Sequence, residues 1–254
     1  MLLPRVIPCL LLKKNGLVKG IQFKNHTYIG DPINAVEIFN TKEVDELFFL
    51  DITATQENRI PSLELIGQLA DECLMPFSVG GGIQTIEHIK DILNHGAEKV
   101  CINTVAMKNP EFIHQASRYF GSQSIVVSVD YKKNWRGNNQ LYLASGTRKN
   151  GNISLLDCVK NLEQSGVGEI LLNSIDRDGT MNGYDLETLT QVCGHVTVPV
   201  IAMGGAWSNQ HLKDGITAGA SAVAAGSKFV FHGARRAVLI NYPDEMELIE
   251  IRGS

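Results

Sequence analysis

The chain contains itself twice. Pro76-Phe77-Ser78-Val79-Gly80-Gly81-Gly82 precedes a helical pattern and then Ala97-Glu98-Lys99-Val100-Cys101-Ile102-Asn103-Thr104. Pro199-Val200-Ile201-Ala202-Met203-Gly204-Gly205 precedes a similar pattern and then Ala220-Ser221-Ala222-Val223-Ala224-Ala225-Gly226-Ser227. Gly81 and Gly204, Gly96 and Gly219, and Thr104 and Ser227 all lie 123 positions apart, and His88-Ile89-Lys90-Asp91 aligns with His211-Leu212-Lys213-Asp214. A period of half the chain means two similar halves rather than a solenoid. Each half carries a glycine-rich strand end, where the missing Cβ lets an anion approach backbone N–H groups. Two such ends suggest a ligand with a phosphate at each end.

Eight short apolar runs alternate with helical patterns: Arg5–Leu12, Glu46–Ile52, Pro76–Val79, Lys99–Asn103, Ser124–Asp130, Glu169–Ser174, Pro199–Met203 and Ala222–Ala225. The helices are expected near 31–44, 60–73, 84–96, 109–119, 152–166, 184–194, 207–219 and 232–241. Strand–helix alternation implies a parallel sheet with crossovers. Eight units in 254 residues favour one closed (βα)8 TIM barrel domain over an open doubly wound sheet. The half-barrels are about 1–122 and 123–254. Two long connections, about 13–30 and 132–151, leave the C-terminal ends of strands, where such barrels carry their chemistry, and are lid candidates. Asn138-Asn139 between Trp135 and Tyr142 suggests a small hairpin in the second.

The glycines supply the first site residues. Gly81 and Gly82 with Asn103 and Thr104 would meet at one side of the barrel mouth, and Gly204 and Gly205 with Gly226 and Ser227 at the other. Asp51, Asp130, Asp176 and Asp178 stand where strands emerge at the same face. An aspartate there can act as general acid or base, or it can merely cap a helix or brace a loop. Lys19 could lie over the mouth, and Gly179 follows Asp178 in the same loop. At the opposite face, Arg5, Glu46, Lys99 and Glu169 each precede an apolar run. Glu46 and Glu169 are repeat mates. Pointing inward, the four would form a neutral ring of two cations and two anions, the condition under which charges tolerate burial.

A formal net charge of −4 gives no reason to expect nucleic acid or an anionic membrane. No run reaches the roughly 18 apolar residues of a membrane span. The apolar start, Met1 to Pro8, lacks the basic leader and cleavage site of a signal peptide. Cys9, Cys73, Cys101, Cys158 and Cys193 are widely spaced with no C-x-x-C, as expected of reduced thiols in a cytoplasmic protein. The histidines show no metal-ligand spacing, and His88 and His211 read as structural or surface residues.

Together these residues resemble the cyclase subunit of imidazole glycerol phosphate synthase over nearly the whole chain. The strings are Ile7-Pro8-Cys9-Leu10, Val18-Lys19-Gly20, Gly30-Asp31-Pro32, Leu50-Asp51-Ile52-Thr53-Ala54, Val79-Gly80-Gly81-Gly82-Ile83, Phe120-Gly121-Ser122-Gln123, and Asp176-Arg177-Asp178-Gly179-Thr180 with Gly183-Tyr184-Asp185. The sugar-phosphate isomerase of the same pathway shares the scaffold, but the charged ring and Leu50–Ala54 fit the cyclase better.

The resemblance implies a barrel that docks a class I glutaminase at its N-terminal face as a heterodimer. Ammonia passes the ring and the barrel interior. At the other face it reacts with a bisphosphorylated ribotide in lyase and ring-closing steps of histidine biosynthesis. No metal or organic cofactor is implied. The family places catalytic aspartates at the ends of strands one and five. Asp130 matches the second, but the first position holds Leu11. The family's serine before the seventh-strand glycines is Met203 here, and its threonine ending strand six is Asn173. These departures resemble paralogues that accompany a sugar amidotransferase in surface-polysaccharide clusters.

Overall fold

A computed structural model describes residues 3–151, 153–233 and 235–253. Met1 and Leu2, the start of the apolar stretch weighed as a signal peptide, lie outside the described residues. The barrel strands are Arg5–Lys13, Leu47–Asp51, Phe77–Gly80, Lys99–Ile102, Ile125–Lys133, Glu169–Ser174, Val200–Met203 and Ala222–Ala225. Each pairs in parallel with its neighbours, and Ala222–Ala225 returns to pair with Arg5–Lys13, so the sheet closes. The register repeats with the sequence. Leu11 faces Leu50, and Leu50 faces Gly80. In the other half Asp130 faces Asn173, and Asn173 faces Met203. Leu50 and Asn173 are repeat mates, so the pseudo-twofold sets Leu11 opposite Asp130.

Alternation along each strand divides the core in two. Ile7, Cys9, Leu11, Phe48, Cys101, Val126, Leu171, Ile201, Ala222 and Ala224 form one apolar cluster, the barrel interior. Val6, Leu10, Leu12, Leu47 and Phe49 join the larger cluster beneath the helices. The helices start where short polar side chains accept their first N–H groups. Thr85 accepts from His88, and its repeat mate Ser208 accepts from His211. His88 and His211 also play one structural part: each Nδ1 accepts the N–H four residues earlier, from Gln84 and Trp207.

Seven helices stand at the expected places, from Pro32–Asn40 to Asn209–Thr217, with Pro110–Phe120 ending one residue past its range. The eighth does not. Phe231–His232 and Ala237–Val238 pair as a small antiparallel ribbon, and the last helices are Ser227–Val230 and Glu245–Arg252. Asp244 and Glu247 form a capping box that starts the latter. Arg252 secures it, its Nη2 on Asp45 at 2.6 and 2.7 Å and its Nε on Pro4 O at 3.1 Å. Both long connections are ordered ribbons. Gly16–Ile21 and Lys24–Gly30 follow strand one. Asn139–Leu143 folds back on strand five, and Arg148–Asn150 pairs with it. Among the described residues no helix is long and apolar enough to cross a membrane, and all five thiols are free.

The strand-end glycines are needed by the fold itself. Gly82 sits at φ +67°, and a Cβ there would lie 1.8 Å from Arg59 O. Gly82→Ala should therefore cost at least about 2 kcal/mol, read as a Tm lower by about 4–8 °C in thermal denaturation. An unchanged Tm would mean the loop after strand two is slack.

Candidate functional site at the barrel mouth

The two ends of the barrel are chemically different. At the N-terminal end Arg5 contacts Glu46 and donates to Glu169 at 2.8 Å, while Lys99 reaches Glu46 at 3.1 Å and Glu169 at 3.3 Å. The four side chains close into the expected ring. Glu46, 1% exposed, also accepts from Ser78 Oγ at 3.0 Å. Burial pulls the Arg5 pKa down, but Glu169 and Glu46 more than offset this and raise it. Glu169 Oε2 is buried without a partner.

At the C-terminal end a cavity of about 760 Å³ opens. Gly81, Gly82, Asn103, Thr104, Asp51, Asp130, Asp178, Leu11, Asn173 and Met203 line it together. Gly204, Gly205, Gly226 and Ser227 also come together, with Lys19, Asp178 and Gly179, but around a recess of only about 10 Å³. The two glycine-rich ends thus stand at one face, as the repeat predicts, but one is open and the other nearly filled.

Asp130 is the most distinctive group. Strand alternation puts Ser128 on the same face, and Ser128 Oγ donates to Asp130 Oδ1 at 3.1 Å. Asn173 Nδ2 donates to the same oxygen at 3.1 Å, and Asn103 Nδ2 to Oδ2 at 3.3 Å. Burial dominates nonetheless and raises the carboxyl to about 6, against the pull of Asn173 and Ser128 and with a further push from Asp178. A carboxyl poised near neutrality suits proton transfer.

The other carboxylates are committed. Asp51 Oδ1 accepts from Thr53 N, Thr53 Oγ1 and Ala54 N, and Oδ2 pairs with Arg59 at 2.6 Å. It braces the loop after strand two, the plainer of its two sequence readings. Asp176 accepts from Lys133 N at 2.8 Å. Asp178 pairs with Lys19 at 2.7 Å. Lys19, read as lying over the mouth, is buried in it. Ser128 and Arg59 were not singled out from sequence, though Ser128 lies two residues before Asp130 on one strand face.

The lid candidates both reach the mouth. Gln22 N donates to Asp178 O at 2.8 Å. Ala144 N donates to Thr104 Oγ1 at 3.1 Å, and Ser145 Oγ to Ile52 O at 3.1 Å, so residues 144–145 bridge strands two and four. Among the described residues no group of three His, Cys, Asp or Glu side chains could hold a metal ion.

The sequence matches the histidine biosynthesis protein family over residues 5–235. A Pseudomonas aeruginosa relative named "Putative imidazole glycerol phosphate synthase subunit hisF2" is 52% identical over 96% of this chain and 97% of its own. A Leptospira interrogans protein, named in the same terms as subunit HisF, is 50% identical over 96% of each chain. The Streptococcus sanguinis imidazole glycerol phosphate synthase subunit HisF is 45% identical over 91% of each. The chain belongs to the HisF family of imidazole glycerol phosphate synthase cyclase subunits.

Within that HisF framework, strand one brings Leu11, not an acid, to the position opposite Asp130. Leu11 packs with Met203 in the interior cluster, so the wall facing Asp130 is apolar. The raised Asp130 value makes folding favour its protonated form. That contribution is complete below the ordinary value of 3.8 and is lost as pH rises through about 6. Asp130→Asn should therefore stabilise the protein by about 2–3 kcal/mol at pH 7.5 and by almost nothing at pH 4. Thermal denaturation at the two pH values checks this, and an equal effect at both would contradict it.

Proposed function

We propose that this protein is an ammonia-using subunit of the imidazole glycerol phosphate synthase type. A class I glutaminase docks as a heterodimer on the N-terminal face, where ammonia enters past Arg5, Glu46, Lys99 and Glu169. The observation that carries this reading is the placement of a charged ring and a wide mouth at opposite ends of one barrel, with an apolar interior between them. Neutral ammonia crosses such a lining at far lower cost than ammonium. The mouth then holds a bisphosphorylated substrate between Gly81-Gly82 with Asn103-Thr104 and Gly204-Gly205 with Gly226-Ser227. Asp130 exchanges protons with it. The setting is biosynthetic and cytoplasmic.

A second reading is favoured by one residue. Ring closure by paired acids needs a partner for Asp130, and Leu11 cannot transfer a proton. Loss of one general acid or base costs about 10²–10⁴ in rate. On this reading the barrel passes ammonia onward to a separate acceptor enzyme, such as a sugar amidotransferase of surface-polysaccharide synthesis. The relative named hisF2 keeps such a paralogous role in view.

The test uses the bisphosphate substrate with saturating ammonium, which bypasses the glutaminase. On the second reading wild-type protein shows little or no turnover. Leu11→Asp, alone or with Met203→Ser and Asn173→Thr, should raise the loss of substrate absorbance by at least about tenfold. Robust wild-type turnover would return the chain to ordinary cyclase chemistry, with another group serving as the acid.

A further inference from the structure

The repeat makes the two halves of the mouth equal in sequence, but the structure makes them unequal in charge and access. Resting on the two-phosphate reading above, we propose that the mouth loads its ligand in order. An open cationic half-site takes the first anionic group. A Lys19–Asp178 latch keeps the second half-site shut until another anion draws Lys19 away.

Four cationic or titratable side chains line the open cavity. Lys13, His26, Lys108 and Arg148 all line the 760 Å³ cavity with Gly81, Gly82, Asn103 and Thr104. None of the four forms an ion pair or side-chain hydrogen bond among the described residues. The carboxylates of the same cavity do not neutralise them. Asp51 is taken by Arg59 and Asp178 by Lys19, and Asp130 is engaged by Ser128, Asn173 and Asn103 and makes no ion pair among the described residues. His26 carries the mark of this field: its pKa is lowered, first by burial and then by Lys13 and Lys19. In a chain of net charge −4 this is a local excess of positive charge with room beside it for a phosphate. Lys13, His26, Lys108 and Arg148 come from the ends of strand one, its ribbon, the Thr104–Lys108 turn and the Arg148–Asn150 ribbon. The strand-end glycine repeat therefore did not reveal them.

The other half is built but closed. Lys19, 5% exposed, lies in the space beside Gly226, where an added Cβ would come within 2.9 Å of Lys19 Cε. The recess left, about 10 Å³, is about one water probe and cannot admit a phosphate. Two polar atoms in it have no partner: Ser227 Oγ and Asp178 Oδ2 are both buried. The repeat mate of Ser227 is satisfied, since Thr104 Oγ1 donates to Asn103 Oδ1 at 3.2 Å and accepts from Ala144 N. A buried hydroxyl without a partner costs free energy, and Ser227 Oγ can donate to an anion, whereas Asp178 Oδ2 only accepts. Moving Lys19 Nζ from Asp178 onto that anion keeps the cation paired but strips Asp178 of its partner, and that cost is what makes the second half-site the weaker one.

The test titrates inorganic phosphate into the whole protein by calorimetry, with His26 followed by NMR. Wild type should bind one phosphate in a first step, with a second at least about tenfold weaker. The first step should raise the His26 pKa. Lys108→Glu, at an exposed position, should weaken the first step about tenfold and leave the second. Asp178→Asn should bring the second step to within a fewfold of the first. Ser227→Ala, which leaves the Lys19–Asp178 pair intact, should weaken the second step alone and serves if Asp178→Asn fails to fold. Two equal phosphates in wild type, insensitive to Lys108→Glu, would overturn the ordered loading while leaving the two-phosphate reading intact. A second step unmoved by Asp178→Asn and by Ser227→Ala would also overturn it. No phosphate bound by wild type at any concentration would sink both.

Discussion

Four charges closed on one another at the base of the barrel set the terms for the rest of the molecule. Arg5, Glu46, Lys99 and Glu169 come from strands one, two, four and six or the residues just before them, so the ring exists only if the sheet closes in one register. Each cation meets both anions, which is what makes their burial tolerable. A slip of one residue in any of these strands would turn its charge into the layer beneath the helices. Strands two, four and six of this set carry Asp51, Asn103 and Asn173 to the opposite face, and the strands paired between and beside them carry Gly81, Asp130 and Gly204 there. The ring thereby fixes the height at which the mouth residues emerge.

Above the ring, the interior carries apolar side chains as far as the Ser128–Asp130–Asn173 group. Asp130 sits where that lining meets the cavity, and burial rather than a partner charge governs its proton. Leu11, on strand one, stands at the pseudo-twofold position opposite Asp130 and offers it no second carboxyl. On the proposed reading this leaves one group that can give or take a proton at the exit of the path taken by ammonia. The recess beside Gly204 and Gly226 is lined by the buried Lys19–Asp178 ion pair.

Much of this was legible in the sequence because the repeat is a property of backbone positions. The glycine ends and the strand–helix order follow from it, while Leu11 stood out through the family resemblance and the structure's register sets it opposite Asp130. The ring was legible because two positive and two negative side chains, summing to zero, stand at the same place before four apolar runs. Lys19 was named as a mouth residue, but its pairing with Asp178 was not foreseen, since the two lie 159 positions apart. The last helix was misplaced because Ala237-Val238-Leu239-Ile240 resembles a helical apolar run. The signal overlooked was local: Pro243 followed by the Asp244–Glu247 capping box. Asp51 was read as both acid and brace, and only the position of Arg59 separates the two.

If the ring is one coupled network, its members cannot be removed independently. The direct measurement is a double-mutant cycle on folding free energy by denaturant unfolding, with Lys99→Met, Glu46→Gln and the two combined. Their side chains are 16% and 2% exposed, so solvent screens the pair little. Each single change should destabilise the protein, and the double should recover part of the loss, giving a coupling of about 1–3 kcal/mol. Additive effects, with a coupling below about 0.3 kcal/mol, would show four separate surface charges and contradict the account.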